Sequence, residues 1–172
     1  MDVQFRGVEH LQQSLAAGHG ILLTPNHCRP ADPFVRGVLA TTVRKPLFFM
    51  ASWHVFMQNW HTTFLLRRMG AFSVYREGMD RAAVSTAIDI LVQSRRPLVI
   101  FPEGVISRSN DRLVALMEGT SFIASRAAKK KAEVSASAKV VIHPVAIRYL
   151  FRGDIHQALD PVLSEIEARL TW

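Results

Sequence analysis

The sequence has a single cysteine and no long apolar run. One thiol cannot form a disulfide framework within the chain, which fits a reducing compartment. No apolar stretch reaches the roughly 18 residues that a transmembrane helix requires, so we expect no span of a bilayer. The opening residues, MDVQFRGVEH, carry charges where a signal peptide has an apolar segment, and we therefore expect no signal peptide.

Glycine and proline are also scarce, and no internal repeat, low-complexity tract or linker interrupts the chain. There are 9 glycines and 8 prolines among 172 residues, of which 49% are hydrophobic. This composition excludes disorder for most of the chain and suits a globular protein with a sizeable core. The length suits one domain, so we expect a single domain over residues 1–172.

Basic residues outnumber acidic ones and give a formal net charge of +7. A basic surface attracts nucleic acid, anionic lipid or phosphorylated small molecules, and the total does not choose among them. The basic clusters lie at the ends of apolar segments. There they either complement helix dipoles or form a cationic face that binds a membrane surface. These clusters are Arg67–Arg68, Arg95–Arg96 and Lys129–Lys131. No base-reading motif accompanies them, so we expect no nucleic-acid partner.

Apolar runs bounded by glycine and proline predict an α/β layer fold, because strands and helices alternate along the chain. Buried strands are predicted at Gly20–Thr24, Phe72–Tyr75, Leu98–Phe101 and Val140–Ile142, the last extending towards Ile147. Helices are predicted at 33–43, 53–66, 81–95 and 119–131, with Asp80 as the cap of the third.

The first predicted strand is followed by Asn26 and His27 and, five residues after the histidine, by Asp32. A neutral imidazole accepts a proton from a hydroxyl through one nitrogen, while a carboxylate on the other nitrogen fixes the tautomer. The turn at Pro30 can bring the carboxylate back to the ring. The alternative is a buried histidine and an aspartate that caps the helix starting at Pro33, and on spacing alone that is the commoner arrangement.

Two further strand exits carry polar residues, and in open α/β sheets sites gather beyond the carboxyl ends of the strands. Arg76 ends the segment from Gly70; its planar charged fork suits a phosphate, although a lone arginine there is usually solvated. Glu103 lies between proline and glycine in Phe101–Gly104. That sharp turn either presents amides or the carboxylate to a substrate or simply connects a strand to a loop.

In this order and with these separations, the segments resemble the motifs of the glycerolipid acyltransferase family, over about residues 5–150. Members of that family acylate glycerol-3-phosphate or lysophospholipids. The fourth motif reads His143–Ile147, with histidine in place of the usual valine. The third motif departs from the family after Gly104, where Thr-Arg-Ser is replaced by Val105–Ser109. Arg108 is then the substitute for the missing arginine.

The resemblance implies a role for each motif residue. His27 is the general base for the acceptor hydroxyl, and Asp32 orients its ring. Arg76 holds the acceptor phosphate, with Arg108 as a second candidate, and Glu103 organises acceptor binding. Amides near Gly104 stabilise the oxyanion, and Asn26 supports the turn at His27. Acyl-CoA or acyl carrier protein is the implied co-substrate, and no metal or prosthetic group is implied.

The resemblance also implies a single-domain α/β fold with a mixed, mostly parallel sheet flanked by helices. Relative to the family, this domain is expected to be incomplete at its C-terminus. We expect it to bind anionic membrane peripherally at the cytoplasmic face. The aromatic segment 53–64 either dips into that interface or packs in the core.

Other classes of function are less well supported by the residues. A serine hydrolase lacks its Gly-x-Ser-x-Gly elbow. Cys28 could act as a nucleophile beside His27, but the side chains of adjacent residues tend to point apart. His54 and His61 are two helical turns apart and could face a metal, but their aromatic neighbours favour a packed or interfacial helix. The main alternative is a lipid-binding relative that keeps the fold without turnover, which the altered third motif favours.

Overall fold

A computed structural model of the chain describes residues 2–75, 77–78 and 80–170. Its centre is a five-stranded sheet with the order β3-β2-β4-β1-β5, and every pairing in it is parallel. The strands are β1 Gly20–Pro25, β2 Phe48–Ser52, β3 Ala71–Val74, β4 Leu98–Val99 and β5 Val140–Val145. The predicted α/β fold with a mostly parallel sheet is confirmed.

Seven helices are present in the described residues, and several begin at recognisable capping residues. They are α1 Val8–Ala16, α2 Asp32–Thr42, α3 Trp53–Phe56, α4 Trp60–Arg68, α5 Arg81–Gln93, α6 Glu118–Val134 and α7 Ile155–Leu170. Asp80 caps α5 by accepting a hydrogen bond from the Ala83 amide at 2.9 Å, as predicted. None of the helices in the described ranges combines the length and the apolar character needed to cross a bilayer.

The region from Phe48 to Arg68 differs from the prediction in two ways. β2 was not predicted, because its apolar residues run into the aromatic segment that follows without a turn residue between them. The single helix predicted over residues 53–66 is wrong, since it is two helices separated at Asn59. That residue is extended, with φ −166° and ψ 164°, and its side chain caps α4 by accepting from the Thr62 amide at 2.7 Å.

The central strands β1 and β4 are buried on both faces, as is usual in a parallel sheet, whereas Ile142 of the edge strand β5 is 48% exposed. Leu23 of β1 packs on one face in a cluster with α1 and α2, represented by Leu11 and Leu39. Its neighbour Leu22 packs on the other face in a cluster with α5 and α6. Because β1 lies between β4 and β5, chain segments that follow these three strands meet at one edge.

Candidate active site

His27 and Asp32 form a hydrogen-bonded pair beyond the end of β1. The distance from His27 Nδ1 to Asp32 Oδ2 is 2.7 Å, and the Asp32 side chain is fully buried while that of His27 is 17% exposed. With Nδ1 as the donor to the carboxylate, Nε2 is the basic nitrogen of the neutral ring. The structure therefore brings together the two residues that the spacing singled out.

The Asp32 carboxylate does not cap α2. The residue before the helix is Ala31, which makes no side-chain cap, and Asp32 is the first helical residue. Its Oδ2 accepts a second hydrogen bond from the Arg29 amide at 3.0 Å. The same oxygen, Oδ2, therefore accepts hydrogen bonds from the imidazole and from the backbone of the turn that follows His27.

Tyr149 completes the surroundings of this carboxylate and was not predicted from the sequence. Its hydroxyl donates to Asp32 Oδ1 at 2.7 Å. Burial, together with the hydrogen bond to Asp32 and the charge of that group, raises the pKa of Tyr149, so the hydroxyl stays protonated. The Tyr149 backbone is fixed by Asn110, whose amide group donates to Tyr149 O at 2.7 Å and accepts from Tyr149 N at 3.0 Å.

The segment Phe101–Gly104 contacts His27 directly. The Glu103 side chain is buried, and its Oε1 accepts from the His27 amide at 2.8 Å while Oε2 accepts from the Val114 amide at 3.5 Å. The Phe101 ring stacks on the imidazole with centroids 4.3 Å apart. Both carboxylate oxygens of Glu103 thus contact backbone amides, and its predicted role in acceptor binding stays a prediction.

The altered half of the third motif also contacts the histidine. The Ser107 amide and hydroxyl both donate to His27 O, at 2.8 and 3.1 Å. Gly104 has φ 69°, a left-handed conformation that favours glycine, and its amide donates to Phe101 O at 3.2 Å. Arg108, also left-handed at φ 55°, has an exposed side chain. The remaining predicted phosphate ligand, Arg76, lies outside the described residues.

Asn26 ties the end of β1 to the chain that follows β5. Its side-chain amide donates to Ile147 O at 3.1 Å and accepts from Ile147 N at 2.6 Å. Cys28 lies in the same turn, 1% exposed, with Sγ 3.2 Å from Ile147 O. Burial, with smaller contributions from the charges of Asp32 and Glu103, raises the pKa of the Cys28 thiol. A buried, protonated thiol does not suit a nucleophile.

The histidines of α3 and α4 do not belong to a metal cluster. No group of three or more histidine, cysteine, aspartate or glutamate side chains that could hold a metal occurs in the part of the chain that the structure describes. His54 Nε2 instead lies 3.8 Å from Glu77 Oε1 at the surface. The aromatic side chains of this segment differ in solvent exposure. Trp53 and Phe56 are partly buried, whereas Trp60 and Phe64 are exposed.

The site has the composition of a general-base centre: an imidazole oriented by a buried carboxylate and held through its backbone by the segment that follows β4. No curated protein and no solved structure matches the chain. The acyltransferase family matches it over residues 2–148, a range that contains His27, Asp32 and Glu103. That match covers most of the chain, which therefore belongs to the acyltransferase family, the family of PlsC-like glycerolipid acyltransferases.

Proposed function

We propose that the protein transfers a fatty acyl group from acyl-CoA or acyl carrier protein to a hydroxyl of glycerol-3-phosphate or of a lysophospholipid such as 1-acylglycerol-3-phosphate, in phospholipid biosynthesis. The observation that carries the proposal is the 2.7 Å contact between His27 Nδ1 and the buried Asp32 carboxylate. Membership of the acyltransferase family supports acyl transfer in general. The acceptor, the donor and the pathway are the proposed part.

The reaction needs one group that acts first as a general base and then as a general acid. His27 Nε2 takes the proton of the acceptor hydroxyl as its oxygen attacks the thioester carbonyl carbon. The carbon–sulfur bond then breaks, and the imidazolium returns the proton to the leaving thiolate. The products are an ester and a free thiol, and no acyl-enzyme forms. Asp32 stabilises the imidazolium between these two steps, and its full burial strengthens that interaction.

Rigid placement of the imidazole supports this mechanism, because orientation supplies much of the rate when two substrates are bound together. Glu103 and Ser107 hold the amide and the carbonyl of His27 from one side. Tyr149 and the Arg29 amide hold the Asp32 carboxylate from the other. The ring therefore has little freedom to turn away from a bound hydroxyl.

The residues that bind the charged and polar groups of the substrates are proposed from the family resemblance. Arg76 and the exposed Arg108 are the proposed ligands of the acceptor phosphate, since an arginine fork matches phosphate oxygens. Amides near Gly104 are the proposed donors to the oxyanion that develops on the thioester. This chemistry requires no metal and no prosthetic group.

A peripheral position on the cytoplasmic face of an anionic membrane is part of the proposal. α4 presents Trp60 and Phe64, 70% and 59% exposed, together with Arg67 and Arg68 around a surface cavity of about 630 Å³. Aromatic side chains beside arginines suit the interface of an anionic bilayer. The lysine run of α6 is less suited to it, because Lys131 is buried against Val92 O.

The test is thiol release from long-chain acyl-CoA and from acyl carrier protein, with and without lysophosphatidate. We expect acceptor-dependent release that His27→Ala lowers by about 10²–10⁴-fold, the usual contribution of a general base. His156→Ala is the matched control, since that histidine lies exposed on α7. No release with glycerol-3-phosphate or with phosphorylated or neutral lyso-lipids would refute the enzyme and leave the alternative, a non-catalytic membrane- or lipid-binding relative.

A further inference from the structure

Arg36 is a buried cation that the mechanism above does not use. It lies in α2, one turn after Asp32, and only 8% of its surface is exposed. Its guanidinium carbon lies 3.7 Å from the centroid of the Phe49 ring in β2. Arginine remains protonated in such surroundings, so α2 holds a full positive charge against the sheet.

The buried edge of this guanidinium has no partner. Nε and Nη2 are both closed to solvent and make no hydrogen bond with any described residue. These two N–H groups point in parallel from the same edge of the group, which is the edge that binds two oxygens of a carboxylate or a phosphate. The carboxylate one turn earlier, that of Asp32, is already occupied by His27, Arg29 and Tyr149.

An unpaired fork in this position is unfavourable for the free protein. A buried charge without a partner loses its hydration, and each unmade hydrogen bond adds to that loss. The contact with Phe49 offsets only a part of it. An oxyanion that accepted both hydrogen bonds would remove the penalty, so the fork favours such a ligand.

A second arginine, which stacks on the neighbouring phenylalanine of β2, shows that the stacking alone does not require burial. Arg96 lies over Phe48, with its guanidinium carbon 5.1 Å from the ring centroid, and it is exposed to solvent. Phe48 packs with the cluster on the opposite face of the sheet from Phe49. Arg96 is therefore a matched control for Arg36.

The fork lies on the face of the sheet that leads to the candidate active site. Phe49 is in register with Val99 of β4, two residues before Phe101, and Phe101 packs against the same apolar cluster as Phe49. Phe101 in turn stacks on His27. Arg36 also lies one helical turn after Asp32, the hydrogen-bond partner of His27.

We propose that Arg36 binds the oxyanion of a phosphate monoester through Nε and Nη2. That this phosphate belongs to a substrate of acyl transfer rests on the proposed function, whereas anion binding by the fork does not. The phosphate has two sources, the acceptor headgroup or coenzyme A. Because the fork is closed to solvent in the free protein, the anion reaches it by displacing packed side chains.

The experiment measures thermal unfolding with and without inorganic phosphate, at ionic strength held constant with sodium chloride. Tm of the wild type should rise by about 3–5 °C at ten times the dissociation constant. Arg36→Met should lose this shift and, without phosphate, unfold at a higher temperature than the wild type, because it removes the unpaired charge. Arg36→Lys, which keeps the charge without the fork, should lose most of the shift, and Arg96→Met should keep it.

Separate arms with glycerol 3-phosphate and with coenzyme A show which source of phosphate the fork prefers. His27→Ala should retain the phosphate shift, so a failure of acyl transfer leaves the binding result standing. An equal shift in Arg36→Met and the wild type, or no shift in the wild type, would overturn the proposal. So would a lower Tm of Arg36→Met without phosphate, since the fork would then be satisfied in the free protein.

Discussion

The hydroxyl of Tyr149 offers the sharpest test of how the candidate active site is held. Tyr149→Phe removes one O–H donor from the buried Asp32 carboxylate and keeps the ring. Arg29, whose guanidinium carbon lies 5.0 Å from the centroid of that ring, therefore keeps its contact. Within the described part of the chain, Asp32 then keeps the bonds from His27 and from the Arg29 amide.

The size of the effect follows from the kind of hydrogen bond that is lost. A bond from a neutral donor to a buried charged acceptor contributes about 1.5–3 kcal/mol. We therefore expect a loss of about 2 kcal/mol in the free energy of unfolding, or about 4–8 °C in Tm for a chain of this size. If the same bond keeps the carboxylate aligned while the imidazolium forms, kcat falls by about tenfold, since about 1.4 kcal/mol corresponds to that factor.

The pH dependence of this difference has a definite sign. The pKa of Tyr149 is raised in the folded protein, so the folded and unfolded states both carry the protonated hydroxyl below about pH 10. The stability difference between wild type and Tyr149→Phe should be constant there. Above about pH 10 the unfolded tyrosine ionises first, so the difference should shrink as the pH rises.

Calorimetric unfolding and thiol release under saturating substrates measure the two effects. Tyr75→Phe is the control for stability, because Tyr75 is the other tyrosine of the chain and is 47% exposed. An unchanged Tm and an unchanged kcat in Tyr149→Phe would refute the reasoning that this hydroxyl holds Asp32.

Three other variants or reagents probe the surroundings. Glu103→Gln should lower kcat about tenfold with the acceptor KM unchanged, because the carboxylate holds the His27 amide; a raised KM at constant kcat would instead indicate acceptor binding. Iodoacetamide should label Cys28 at least about 100-fold more slowly in the folded than in the unfolded protein, since burial raises its pKa, and rapid labelling detected by mass spectrometry would contradict this. Burial, together with the charge of His10, lowers the pKa of His143 in the folded protein. As the pH falls, the unfolded state therefore gains the proton first, and the free energy of unfolding decreases below about pH 6.5. His143→Val should reduce the loss of Tm between pH 7.5 and 5.5, and an unchanged loss would assign it to other groups.

Local patterns were sufficient to predict most of the sheet. β1 is an apolar run between Gly20 and Pro25, and such boundaries are visible in the sequence. β2 has no such boundary, since Ser52 passes directly into α3. The aromatic segment that follows was assigned to one helix because its composition is uniform, whereas the break depends on the backbone of Asn59.

The candidate site was predictable where its residues share one turn. His27 and Asp32 are five residues apart, so their spacing alone raised the question of a pair. Tyr149 is 117 residues from Asp32, and nothing in its neighbourhood of the sequence distinguishes it from other aromatic residues. A polar side chain beyond the last predicted strand was the one available signal, and using it requires knowing that β5 lies beside β1.

The strand order also explains how the third motif can change without loss of the histidine's position. β1 lies between β4 and β5, so the segment after β4 reaches the backbone of His27. In that segment Glu103 holds the His27 amide and Ser107 holds its carbonyl, although the residues after Gly104 differ from those of the family. Neither of these contacts involves Arg108, the residue of this motif that we propose as a phosphate ligand. We propose that the departure at Val105–Ser109 affects binding of the acceptor and that a phosphate binds at the buried fork of Arg36.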